Sequence, residues 1–180
     1  MALVLIKEDG TGRPDANSYV TVAEADAYLA GNYYTDVWRG ADDASRTMWL
    51  VSAARHIDSQ WQFFGRRAND AQALAWPRVL CPDPERAAGP VTWLGLTWTE
   101  YVPENEVPQA IREAQIELAR VVTSDERTPA VAVGEGMLAN GTVKFDVPVR
   151  KPVVPAIVAV YLNRFGTRVG AGGEVRLVRA

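Results

Sequence analysis

At 180 residues, with 48% apolar and 23% charged side chains, the chain has the composition of one folded domain with its own core. That excludes wholesale disorder and leaves little room for two independent enzymatic domains. A formal net charge of −3 argues against general phosphate neutralisation as a mode of nucleic-acid binding.

The charge is unevenly spread. Residues 150–180 carry six basic groups (Arg150, Lys151, Arg164, Arg168, Arg176, Arg179) against Glu174, or +5, while residues 1–149 carry thirteen against twenty-one, or −8. An acidic body with a basic end is a docking or self-assembly pattern. Cys81 is the only cysteine, which rules out an intramolecular disulfide and fits a reducing compartment. The opening MALVLIKEDG has a short apolar run with no basic residue before it, unlike a signal peptide. No apolar run approaches the roughly 20 residues of a membrane span, so the expectation is a soluble protein made in a cytoplasm, with no membrane partner.

In chain order, residues 2–6 read as a short strand, closed by the turn-rich EDGTGRPDANS. Thr21 and Glu24 form a capping-box pattern for a first helix with the stripe Val22, Ala25, Tyr28 and Leu29, stopped at Gly31-Asn32. A second helix starts at Asp42 or Asp43 and runs through Met48, Leu50, Val51, Ala54, Ile57 and Trp61 to Gly65. The segment AQALAWPR at 71–78 turns at Trp76-Pro77. Residues 81–101 read as a loop carrying Trp93 and Trp98.

The central helix is the most legible element. In VPQAIREAQIELARVV (107–122), Val107, Ala110, Ile111, Ala114, Leu118, Val121 and Val122 recur at steps of three and four. Gln115 and Glu117 fall on the remaining circumference. Residues 130–134 and 142–149 read as strands, with Asn140-Gly141 as a hairpin signal. A last helix over 154–165 has Pro155 in its first turn. GAGG at 170–173 is a hinge, followed by the alternating extended segment EVRLVR. The fold class expected is mainly α: a bundle of about four helices, a small β-hairpin near 130–149, and an extended C-terminal arm. The division is a helical domain over 1–169 and a hinge with docking arm over 170–180.

Chemistry is sparse. His56 is the only histidine, so with Cys81 no Cys/His zinc site can be assembled within the chain. Cys81 lies in a proline-rich loop with no signal for a lowered thiol pKa. GAGG lacks the setting and lysine of a phosphate loop. Catalytic, cofactor and metal residues are therefore none, and the protein is expected not to be an enzyme. Trp49, Trp61 and Trp76 belong to apolar patterns and read as core. Trp93, Leu94, Leu96 and Trp98 read as a surface for a neighbouring subunit or another protein. In the arm, Val175, Leu177 and Val178 read as apolar anchors, with Arg176 and Arg179 meeting acids on a partner.

Five motifs together resemble a known family. They are residues 17–29 (NSYVTVAEADAYL), a tryptophan-bearing helix ending in AARHID (53–58), a short 65–72 connection, QALAWPR (72–78) and VPQAIREAQIELA (107–119). In order and spacing they resemble tailed-bacteriophage head–tail adaptor, connector or head-completion proteins, whose similar sequences are often labelled DnaT-like single-stranded-DNA-binding protein. The resemblance covers 17–122 and implies a mostly helical subunit in a ring, commonly of twelve copies, beneath the portal. Such a ring extends the DNA channel without specific DNA binding and meets tail or neck proteins. It implies a virion protein at the head–tail junction, with the arm reaching the portal. Residues 130–180 carry no matching motif. The rival expectation is a single-stranded-DNA-binding replication accessory, kept open by the +5 C-terminal segment.

Overall fold

Five helices and eight short strands follow one another in a computed structural model that describes residues 3–84, 91–93, 96–98, 100–124, 139–140, 143–144 and 154–169. The helices are α1 (Val22–Leu29), α2 (Asp36–Gly40), α3 (Asp43–Gln60), α4 (Gln109–Ser124) and α5 (Ala156–Leu162). The strands are β1 (Trp61–Phe63), β2 (Arg66–Arg67), β3 (Arg78–Val79), β4 (Val91–Trp93), β5 (Leu96–Trp98), β6 (Ala139–Asn140), β7 (Val143–Lys144) and β8 (Gly166–Arg168). They pair as four two-stranded antiparallel sheets, β1–β8, β2–β3, β4–β5 and β6–β7.

This corrects the expected four-helix bundle with one hairpin. The helices are too unequal for a bundle, from 5 to 18 residues, and short strands are spread among them. The strongest departure is at the end of α3. The periodic pattern carries on through Trp61, but α3 stops at Gln60 and Trp61 opens β1, opposite Arg168. Trp61 and Phe63 are buried while Gln62 is exposed, which is strand alternation. A helix and a strand both bury Trp61, so an apolar residue at that position does not distinguish them. The first predicted strand is also absent among residues 3–6. The segment instead makes an isolated parallel bridge one residue on, Lys7 to Ser18, and the Asn17 side chain accepts from the Ile6 N–H and donates to the Val4 carbonyl, each at 2.8 Å.

Helix starts agree with the local chemistry. The Thr21–Glu24 capping box is present: the Glu24 N–H donates to Thr21 Oγ1 and the Thr21 N–H to Glu24 Oε2. Asp42 caps α3, accepting from the Ser45 N–H at 2.8 Å. Pro108 stands just ahead of α4, its carbonyl accepting from Ile111 and Arg112.

α4 lies against both α3 and α5. Ile111, Ala114, Leu118 and Ala119 are fully buried on it, joined in the core by Tyr19, Leu29, Leu50, Ile57, Trp76, Leu162 and Phe165. Each such large apolar side chain contributes about 1.5–3 kcal/mol by leaving water. Trp76 sits edge-on to Phe63 and to Phe165, each at 5.7 Å between centroids, which ties the 71–78 segment to β1 and to the turn between α5 and β8. The Trp76-Pro77 peptide is cis.

Candidate nucleic-acid interface

The sequence-predicted contact residues are only partly placed. Trp93, Leu96 and Trp98 fall on β4 and β5, where Trp93 is opposite Leu96 and Val91 opposite Trp98. The loop expected there is thus a hairpin. Leu94 lies outside the described residues, as do the strand at 130–134, the hinge and the arm residues Val175, Arg176, Leu177, Val178 and Arg179. The hairpin signal at Asn140-Gly141 corresponds to β6–β7, with Asn140 opposite Val143. Burial pushes the Cys81 thiol up to about 11, so it stays protonated at neutral pH. Among the described residues no three His, Cys, Asp or Glu side chains gather to hold a metal ion.

What sequence reading passed over is an arginine ladder. The connection at 65–67 and the end of QALAWPR pair as β2 and β3, putting Arg67 directly opposite Arg78 and Arg66 opposite Val79. Arg78 is consumed structurally. Its guanidinium donates to four backbone carbonyls: Phe64 at 2.6 Å, Gly65 at 2.8 Å, Ala75 at 3.0 Å and Phe63 at 3.2 Å. Burial lowers its pKa, and the Arg67 charge beside it acts in the same direction. Arg66 and Arg67 are exposed. Arg67 donates to the Gln72 carbonyl at 3.4 Å. Neither Arg66 nor Arg67 has an ion pair among the described residues, whereas Lys7, Arg13, Arg46 and Arg120 each have a carboxylate partner. Phe64 (42% exposed) and Leu80 (57% exposed) flank the ladder.

A buried network fixes this region from below. The Asp58 carboxylate on α3 accepts from the Tyr19 hydroxyl at 2.5 Å and from the Ala75 N–H at 2.9 Å. Gln72, buried, donates to the Leu74 and Pro77 carbonyls and accepts from the Asn69 N–H. Burial raises the Asp58 pKa to about 6, against lowering by Tyr19, Ala75, Arg67 and Arg78. Its folded-state pKa thus exceeds the unfolded value of 3.8, so the native state binds the extra proton between those values. The contribution is present below about pH 4 and lost as pH rises through 6, amounting to about 3 kcal/mol at 1.36 kcal/mol per pKa unit. Urea unfolding across pH 4–7 is expected to show this fall in the wild type and to lose it in Asp58→Asn. An unchanged slope in the variant would assign the dependence to other groups.

The placement of these motifs acquires meaning from comparison. A family model described as "Putative DnaT-like ssDNA binding protein" matches residues 1–180. The chain belongs to that family. Comparison with curated proteins returned no match, and neither did comparison with solved structures. The family match makes no reference to a head–tail adaptor, so that part of the resemblance rests on the motifs within 17–122 alone. For this DnaT-like family member, the β2–β3 ladder sets two exposed arginines without ion pairs among the described residues on strands flanked in sequence by exposed Phe64 and Leu80.

Proposed function

We propose that the protein binds single-stranded DNA through the β2–β3 ladder, with Arg66 and Arg67 holding backbone phosphates. The observation that carries this reading is the pair of exposed guanidinium groups on adjacent residues, neither in an ion pair among the described residues, on a strand paired with Arg78 and Val79. The match of the whole chain to a family described as DnaT-like ssDNA binding supports it. Because the overall charge is −3, binding depends on this local cluster rather than on a general basic surface. Fluorescence anisotropy with a labelled oligothymidine tests the proposal. Saturable binding by the wild type, weakened about tenfold in Arg66→Glu/Arg67→Glu, is the expected result. Equal binding by both proteins overturns the assignment.

A second reading, a virion head–tail adaptor forming a homo-oligomeric ring beneath a portal, is favoured by a different observation. Tyr33 and Tyr34 are 87% and 89% exposed, with Val37 exposed close by in sequence. Apolar surface of this kind marks protein contacts. In this reading DNA passes without specific binding, the arm at 170–180 meets the portal, and the β4–β5 hairpin meets a neighbouring subunit or a tail protein. Negative-stain microscopy of the protein mixed with portal separates the two: rings on one end of the portal, with no oligothymidine binding, would replace the first reading by the second.

A further inference from the structure

The geometry points to Phe64 as a stacking platform for an unpaired nucleobase, which would make the ladder selective for single strands over duplex. This inference rests on the DNA-binding reading above and deepens it. Phe64 follows the buried Phe63 at the end of β1 and turns its ring outward, 42% exposed. Its backbone is fully committed: the N–H donates to the Phe165 carbonyl at 2.9 Å, and the carbonyl accepts from Arg78 Nε at 2.6 Å. The same guanidinium also holds the carbonyls on either side, Phe63 and Gly65. An exposed ring on so constrained a backbone is presented in advance, and ordering it on binding costs little.

The surroundings suit a base with its phosphate. Gly65 separates Phe64 from Arg66, and its left-handed φ of +68° bends the chain so that Leu80 comes alongside. A Cβ on Gly65 would lie 2.8 Å from the Leu80 carbonyl carbon, so the two strands meet backbone to backbone here. Leu80 is itself 57% exposed, with φ of +58°. An aromatic face, a second apolar side chain and a guanidinium two residues on form the combination that takes a splayed base and its phosphate, whatever the base's identity. A duplex keeps its bases stacked on one another and offers this ring nothing.

Three ligands of equal length separate the contributions: oligothymidine, an abasic sugar–phosphate strand, and duplex DNA. The wild type is expected to prefer oligothymidine over both others. Phe64→Ala is expected to weaken oligothymidine binding about tenfold, within the range for one base–aromatic stack, while leaving the abasic strand and the salt dependence unchanged. Phe64→Trp is expected to retain wild-type affinity. If Phe64→Ala binds oligothymidine like the wild type while Arg66→Ala weakens it, the stacking inference fails and the DNA-binding reading stands. Absence of any DNA binding by the wild type overturns both.

Discussion

Replacing Gln115 by alanine is expected to destabilise the fold by about 3 kcal/mol, because it strands buried polar groups at the junction of three elements. Gln115 is fully buried in the middle of α4. Its Oε1 accepts from the Tyr19 N–H at 2.9 Å, and its Nε2 donates to Ser18 Oγ and to the Leu50 carbonyl, each at 2.8 Å. Tyr19 and Ser18 belong to the segment leading into α1, and Leu50 to α3, so one amide clamps that segment and two helices. The Tyr19 N–H would be left without its acceptor in a dry interior, and the vacated volume adds a cavity cost. Gln115→Glu tests the polar part separately: it keeps the volume but loses the two donor contacts. Urea denaturation of both variants measures the effect. A loss below about 0.5 kcal/mol for alanine, the level of an ordinary surface change, would mean that water replaces the amide.

Gly65→Ala is expected to cost a similar amount and to weaken the proposed DNA site as well. The left-handed φ of +68° alone costs a non-glycine residue about 1–2 kcal/mol. Worse, the new Cβ would stand 2.3 Å from the Val79 carbonyl oxygen and 2.8 Å from the Cys81 nitrogen. Both are backbone atoms, so no rotamer change relieves the clash and β2 must move away from β3. The total is about 3 kcal/mol or more by thermal or urea unfolding. Arg66 and Arg67 move with β2, so oligothymidine affinity is expected to fall in the fraction that remains folded. Wild-type stability for this variant would show that the β2–β3 pairing is loose in solution.

Helix starts and the apolar stripe of α4 were readable because they depend on neighbours a few residues away. Thr21 with Glu24, Asp42, and the Ile111, Ala114 and Leu118 spacing are of this kind. Gln115 and Glu117 lie off the apolar stripe, as the spacing gives, but they are buried there, and nothing local reveals that α4 is covered on several sides. Glu117 is 6% exposed, bonded to Arg120 and accepting from Asn32. Glu8 is a similar case: buried, it accepts from the N–H groups of Gly10, Gly12 and Arg13, folding the EDGTGR turn around its own carboxylate. The candidate site was not legible at all. Arg66-Arg67 and Arg78 are eleven or more residues apart, and only the turn built on buried Gln72 makes them neighbours. A usable signal was present in Gly65, a glycine directly before two arginines, but it read as a helix stop.

The most direct test is the salt dependence of oligothymidine binding by the full chain, compared with Arg66→Ala/Arg67→Ala. Each phosphate contact to a single strand contributes about 0.7 to the slope of log affinity against log salt. The expected result is a measurable slope in the wild type that falls by about 1.4 in the double variant, together with a weaker affinity. A double variant with the wild-type slope would place DNA contact elsewhere on the chain. A wild type that binds no oligothymidine at any salt would contradict the DNA-binding reading itself and leave the ring adaptor in its place.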